Sequence, residues 1–344
     1  MDKEKRLILS ASGLIFAGLL LFFAVFFFWH RVSGTSSTAI PARLTHITVR
    51  LKWLHQTQFA GMYVADKKGF YRQNGIDATL LPFDYSHFPI TGVASGSADF
   101  GVAGADEVLL ARSQGVKVKA LAVIYQKNPV VAYARASSGI KTPLDFVGKR
   151  LGMEKGLNVE YIVKAMIAAQ NIDYNKDIIE VPIKYDATPL INGQVDIGTG
   201  YETNEPIQAE EAGIPVTLIR PSDYGVNSYA DVLFTSDDMI KNRPALVHAF
   251  VDASLRGWRY ALKHVDEAVN ITLEYKDPNN VNLNFPHQKA LLQKSVPLIE
   301  PSPGLPVGSM DYVYWRDTYD LLRNSGQIKN GFDFTQAYTT EFLK

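Results

Sequence analysis

Short apolar, strand-like runs alternate with helix-length segments along most of this chain. One pattern occurs twice: Ser95-Gly96-Ser97-Ala98-Asp99-Phe100-Gly101 and Asn192-Gly193-Gln194-Val195-Asp196-Ile197-Gly198. Such alternation is the signature of an α/β protein. In each copy a helix closes on a Gly that tolerates positive φ. A small turn and an Asp follow, and the Gly in the next strand permits close backbone approach. A repeat of this kind predicts two lobes of one design. The spacing predicts strands over 47–51, 78–81, 100–103 and 118–124 in the first lobe. In the second it predicts 149–153, 178–183, 195–199 and 216–219, with helices over 159–169 and 205–211. The chain is expected to recross near 125–132 and again near 221–233. That gives a first lobe of residues 44–128 completed by 231–344, and a second lobe of 129–230. Two lobes joined by two crossing segments leave a cleft that can close on a small ligand.

Leu7 to Trp29 carries no charge and includes Phe22, Phe23, Phe26, Phe27 and Phe28. A membrane-spanning helix needs about 20 apolar residues, and the run exceeds the core of a signal peptide. Lys3, Lys5 and Arg6 precede it, which puts the N-terminus on the cytoplasmic side and the lobes outside. Residues 1–32 are thus expected to be a single-pass transmembrane anchor and 33–43 a flexible tether. The alternative is a long cleaved signal with Ala39 or Ala42 near the cut. Lys plus Arg (35) equals Asp plus Glu (35), so charge gives no reason to expect nucleic acid. The chain has no cysteine. This excludes disulfides, thiolate metal sites, Cys nucleophiles and lipid attachment through an N-terminal Cys.

Leu51 to Asp77 reads as the end of a strand, a polar-aromatic turn and a helix. It delivers Trp53, His55, Gln56 and Gln58 to a helix N-terminus, where α/β sheets bind ligands. Trp53 is either core or a stacking surface, and Gln58 either reads a heterocycle edge or sits in solvent. In Gly200-Tyr201-Glu202-Thr203-Asn204-Glu205-Pro206, helix capping accounts for Asn204, Glu205 and Pro206. It leaves Glu202 as a ligand carboxylate. Asp106 and Glu107 open another helix, as helix stabilisers or, for Asp106, as a ligand contact. Acid there argues against sulfonate, nitrate or phosphate, which want bare amides and Arg or Lys. Tyr85 and Tyr185 sit in turns expected to face the cleft and offer stacking rings, while Tyr224 lies at a crossover, where it is expected to line the hinge side of the pocket. His55 has no His or Cys partner at a metal-binding spacing, so no metal site is expected and His55 reads as a rim hydrogen-bonder or an exposed group. No nucleophile-base set and no phosphate loop emerges, so neither catalysis nor a cofactor is expected.

The stretches KW…FAGMYVADKKGFYRQNGID, VASGSADFGVAG, PLDFVGKRLGM, GQVDIGTGYETNEP and DYGVNSYADVLFTSDDMIKNRP occur in this order. Together they resemble the family of periplasmic pyrimidine-binding proteins and thiamine-pyrimidine synthases, over about Ile47 to Leu343. The resemblance implies a two-lobed type II periplasmic-binding fold. It also implies capture of a thiamine-precursor aminopyrimidine for the permease of an ABC importer. Trp53 matches the family's aromatic position and Glu202 the position of a carboxylate against the aminopyrimidine. The synthase branch would need a lysine, a histidine and a cysteine-rich iron-binding run. Ala103, Glu107 and Val226-Asn227-Ser228-Tyr229-Ala230 stand there instead, so no Schiff base or soft iron site is expected. Related domains also resemble extracytoplasmic ligand-sensing modules. No output domain follows the last helix, so transport is the expectation.

Overall fold

Each copy of the repeated pattern builds the same piece of sheet. The computed structural model describes residues 43–343 apart from 185, 303 and 330. Gly96 (φ 77°) and Gly193 (φ 69°) follow the short helices Pro89–Ser95 and Thr188–Ile191. The Asp99 carboxylate accepts the Thr48 N–H at 2.9 Å, and the Asp196 carboxylate accepts that of Arg150 at 2.9 Å. The backbone N–H of each Asp returns a bond to the carbonyl of the same partner. Each Asp therefore clasps its strand to the neighbour. The last Gly has an equally specific task. A Cβ on Gly101 would lie 2.5 Å from the Phe234 ring, and one on Gly198 would lie 2.4 Å from Tyr133.

The strands are β1 (Thr45–Arg50), β2 (Ile76–Leu81), β3 (Phe100–Ala103), β4 (Val118–Tyr125) and β5 (Val130–Arg135). They continue with β6 (Arg150–Met153), β7 (Ile179–Pro182), β8 (Ile197–Tyr201), β9 (Val216–Ile219) and β10 (Ala230–Ser236). They form two five-stranded sheets, ordered β2-β1-β3-β10-β4 and β7-β6-β8-β5-β9. β10 runs antiparallel to β3 and β4, and β5 antiparallel to β8 and β9. Phe234 stands opposite Gly101 and Tyr133 opposite Gly198, so the two sheets share one plan. The chain is a two-lobed α/β protein.

The expected strands fall within about two residues of those observed, and helices occupy Asn158–Ala169 and Glu205–Glu211. The two crossing segments do more than connect, because they become β5 and β10 inside the sheets. Every residue of β5 but the last is buried, as is every residue of β10 but the last. Strands covered on both faces lose the apolar–polar alternation that marks a strand.

Helices Ala60–Lys67 and Pro244–Ala261 cover the first sheet. They cross where Gly257 meets Gly61, a Cβ on Gly257 falling 1.9 Å from the Gly61 carbonyl oxygen. Trp258 fills the space over Gly61, and Phe250 stacks on Phe100 with ring centres 4.0 Å apart. Phe100 and Leu109 are core, both fully buried. Burying each such ring or branched side chain contributes about 1.5–3 kcal/mol. The anchor expected over residues 1–32 lies outside the described residues. Among the described residues, no helix is long and apolar enough to cross a membrane.

Candidate functional site

Beyond the last residues of β1, β6 and β8 lies a cavity of about 480 Å³, mouth included, walled by both lobes. This is the crevice outside the carboxyl ends of parallel strands, where open α/β sheets take ligands. From the first lobe, the turn after β1 contributes Lys52, Trp53, Gln56 and Gln58. The second lobe contributes Glu154, Leu157, Asn158, Val159, Ile183 and Asp186. It adds Thr199, Gly200 and Tyr201 of β8, then Asn204 and Glu205 at the start of the next helix.

A buried cation ties the two walls together. Lys52 is 3% exposed, and its Nζ donates to Asn158 Oδ1 (2.9 Å) and the Tyr201 hydroxyl (3.1 Å) of the second lobe. It also faces the carboxylates of Glu107 (3.4 Å) and Asp231 (3.6 Å) in the first. Burial works against the ammonium, but those carboxylates outweigh it and the Lys52 pKa is raised. Tyr201 donates to Asp231 Oδ1 at 2.9 Å, and Gln58 Nε2 to Asp231 Oδ2 at 2.8 Å. Gln56 Nε2 in turn donates to Gln58 Oε1 at 2.7 Å, which orients both glutamines toward the cavity.

On the opposite wall Glu205 is buried. Its Oε2 accepts the Tyr201 backbone N–H at 2.8 Å and its Oε1 accepts Asn204 Nδ2 at 2.6 Å. Its own backbone N–H also bonds the carboxylate, and about four acceptor sites still leave one direction free. Burial pushes the Glu205 carboxyl up to about 7 from an ordinary value of 4.5, against the pull of those bonds. Between these two values the folded chain therefore holds a proton that the unfolded chain releases. Stability is expected to fall by about 3 kcal/mol from this group as pH rises from about 4.5 to about 7, then to level off. Glu205→Gln should remove that part of the slope. Urea unfolding of both proteins across this range measures it, and parallel curves would assign the proton elsewhere.

The expected site residues divide. Trp53 and Gln58 line the cavity. Trp53 is half-buried, stacks at 6.1 Å on Phe83 and packs against the first-lobe core, so the core and ligand readings both describe part of its surface. Tyr85 is not part of the described wall. It hydrogen-bonds Glu154, and Lys184 Nζ lies 4.4 Å from its ring centre. Asp106 is fully buried beside Lys52 and does not form the wall. Burial and neighbouring Glu107 hold its pKa well above the ordinary range. Tyr185 lies outside the described residues.

Glu202 and Tyr224 are absent from the described wall. Successive residues of an extended chain point to opposite sides. Tyr201 therefore turns into the cavity while Glu202 turns to Arg220, whose Nε and Nη2 lie 2.9 and 2.8 Å from its carboxylate. Tyr224 packs instead against the second-lobe core. His55 is neither at the rim nor exposed. It is 6% exposed, with Nδ1 2.9 Å from the Tyr63 hydroxyl and its backbone N–H on Asp277, and burial lowers its pKa. Among the described residues no group of three or more His, Asp or Glu could hold a metal ion. Glu154, Asn158, Tyr201 and Asp231 carry no signal of this role in the sequence, and Glu205 reads there only as part of its helix end. The one signal is Lys52, a lysine inside the apolar run Leu51-Lys52-Trp53-Leu54.

The family model described as "NMT1/THI5 like" matches residues 56–268. The riboflavin-binding protein RibY of Chloroflexus aurantiacus is 28% identical over 329 residues, covering 90% of this chain and 91% of that protein. The formylaminopyrimidine-binding protein of Halalkalibacterium halodurans is 25% identical over 312 residues, covering 87% and 92%. The 4-amino-5-hydroxymethyl-2-methylpyrimidine phosphate synthase of Legionella pneumophila is 25% identical over 313 residues, covering 89% and 94%. Among solved structures, the alkanesulfonate-binding protein SsuA from Xanthomonas axonopodis pv. citri, bound to MOPS, superposes with a TM-score of 0.66 at 14% identity. It covers 87% of this chain and 99% of that one. At that identity the likeness is one of fold.

Proposed function

The chain belongs to the NMT1/THI5-like family, and from that premise we propose that it captures a small planar nitrogen heterocycle, an aminopyrimidine of the thiamine-precursor type, for an ABC importer. The observation that carries this reading is the makeup of one cavity: the Trp53 ring beside the carboxylates of Glu154, Asp186 and Glu205 and the amides of Gln56, Asn158 and Asn204. An indole offers a stacking face. A carboxylate accepts from an exocyclic amine and pairs with a protonated ring nitrogen through a charge-assisted bond. The described wall contains no arginine, and its lysine is already held by two carboxylates. That donor set disfavours a sulfonate, although the fold is shared with a sulfonate-binding protein.

In this reading residues 44–128 with 231–344 close over residues 129–230, and Trp53, Gln58 and Glu205 meet the ligand. The closed form is what the permease would take up, on the outer face of the cytoplasmic membrane, with residues 1–32 as the anchor. No enzymatic step is assigned, because Ala103 and Glu107 stand where the resemblance would require lysine and histidine. A flavin is the second reading, favoured by the 28% identity to a protein named as riboflavin-binding. Its fused ring would use the same stacking face.

Melting-temperature shifts of the full chain test the proposal, with 4-amino-5-hydroxymethyl-2-methylpyrimidine, its formylamino counterpart, riboflavin and taurine. A ligand at 100 times its dissociation constant adds about 2.7 kcal/mol, a shift of about 5 °C for a protein of this size. A shift from the pyrimidines alone supports the aminopyrimidine. A shift from riboflavin alone moves the assignment to the flavin. A response only to taurine overturns both.

A further inference from the structure

Helix Phe285–Ile299 is bonded to the first lobe through Gln288, whose Oε1 accepts the Thr57 N–H at 2.7 Å and whose carbonyl accepts the Thr57 hydroxyl at 2.8 Å. The neighbouring residue faces the other way. His287, fully buried, lies with Nε2 3.0 Å from Asn204 Oδ1 and Nδ1 2.9 Å from the Glu211 carboxylate, both on the second lobe. Adjacent side chains of one helix thus hold the turn that carries Gln56 and Gln58 and the helix start that carries Glu205.

Asn204 is the relay between His287 and the cavity. Its Nδ2 donates to Glu205 Oε1, so its Oδ1 faces His287 Nε2 and also accepts Gln208 Nε2 at 3.1 Å. Turning the amide over would set its oxygen against the Glu205 carboxylate and its NH2 against two donors. Gln208 is itself fixed, its Oε1 accepting the Ala187 N–H at 2.9 Å.

We propose that His287 is a positioning residue for ligand capture: it bonds the first lobe to the second on closure and locks the Asn204 amide so that Glu205 is presented to the cavity. The proposal rests on the reading of this cavity as the ligand site. It makes closing of the lobes and shaping of the ligand carboxylate one event. Ligand affinity then depends on a residue that does not line the cavity.

The absence of cysteine allows a clean test. Ser137→Cys and Arg72→Cys, both at exposed positions, put spin labels on opposite lobes of the full chain. Without ligand, His287→Leu is expected to reduce the short-distance population at least fivefold. His287→Gln, which keeps a donor for Asn204, should hold it within twofold. Affinity for 4-amino-5-hydroxymethyl-2-methylpyrimidine should fall more than tenfold in the Leu variant and less than threefold in the Gln variant. Glu211→Gln weakens the same bridge at a half-exposed carboxylate without opening a buried hole, and should fall between them. Wild-type distances and affinity in the Leu variant would overturn the proposal. So would equal defects in Leu and Gln with Glu211→Gln unaffected, since a purely structural histidine behaves that way. If the wild-type chain does not bind this pyrimidine, the pyrimidine assignment fails, while the ligand-free distances still decide the role of His287.

Discussion

Lys52→Met is expected to lower folding stability by about 3–5 kcal/mol, the scale for removing one partner from a buried ion pair. The size follows from what stays behind. Glu107 and Asp231 are 9% and 1% exposed, and Lys52 is the cation within 3.6 Å of both. Methionine matches the aliphatic stem of lysine, so packing is largely kept and charge is what changes. Asn158 Oδ1 also loses the donor 2.9 Å away. In thermal unfolding the loss corresponds to a drop of about 6–9 °C. Adding Asp231→Asn should return part of it, because one of the two stranded charges is then neutral and Tyr201 keeps a hydrogen-bond partner. A single-variant loss under about 1 kcal/mol would mean that water reaches these carboxylates. A double variant no better than the single would mean that Asp231 is not the stranded charge.

That network marks where reading the sequence stops. The repeat around Asp99 and Asp196 could be seen in the sequence because its bonds run to the adjacent strand and its glycines answer a local demand for space. The same locality made the helix Glu205–Glu211 visible through Asn204, Glu205 and Pro206. Lys52 is different. Its partners Glu107, Asn158, Tyr201 and Asp231 are brought together only when two crossing segments fold into the sheets, and nothing near Lys52 in the chain announces them. The expectation for Glu202 has a simpler origin. In the sequence, capping accounts for Glu205, which leaves Glu202 as the carboxylate without a structural role. In the structure the two carboxylates exchange places: Glu202 pairs with Arg220, and the helix-opening Glu205 accepts the Tyr201 N–H and lines the cavity with the same side chain. A residue that satisfies a structural rule is still available for binding when its oxygens have lone pairs to spare.

That exchange sets the largest effect expected on binding. Glu205→Gln should weaken an aminopyrimidine by about 1.5–3 kcal/mol, the scale of a hydrogen bond to a charged group, or roughly 10- to 150-fold in dissociation constant. Glutamine keeps the length and one acceptor oxygen. It loses the negative charge, and its NH2 would meet either the ligand amine or the Tyr201 N–H. Glu202→Gln removes a partly exposed ion pair with Arg220, which is 43% exposed at its side chain. Pairs of that kind are worth about 0–1 kcal/mol to the fold, and its affinity should stay within about twofold of wild type. Isothermal titration of the two variants against one ligand gives the comparison directly. The reverse order, with Glu202 sensitive and Glu205 indifferent, would move the binding carboxylate to the side of β8 that carries Arg220. Equal indifference would leave Glu154 and Asp186 as the carboxylates able to read an amine in this cavity.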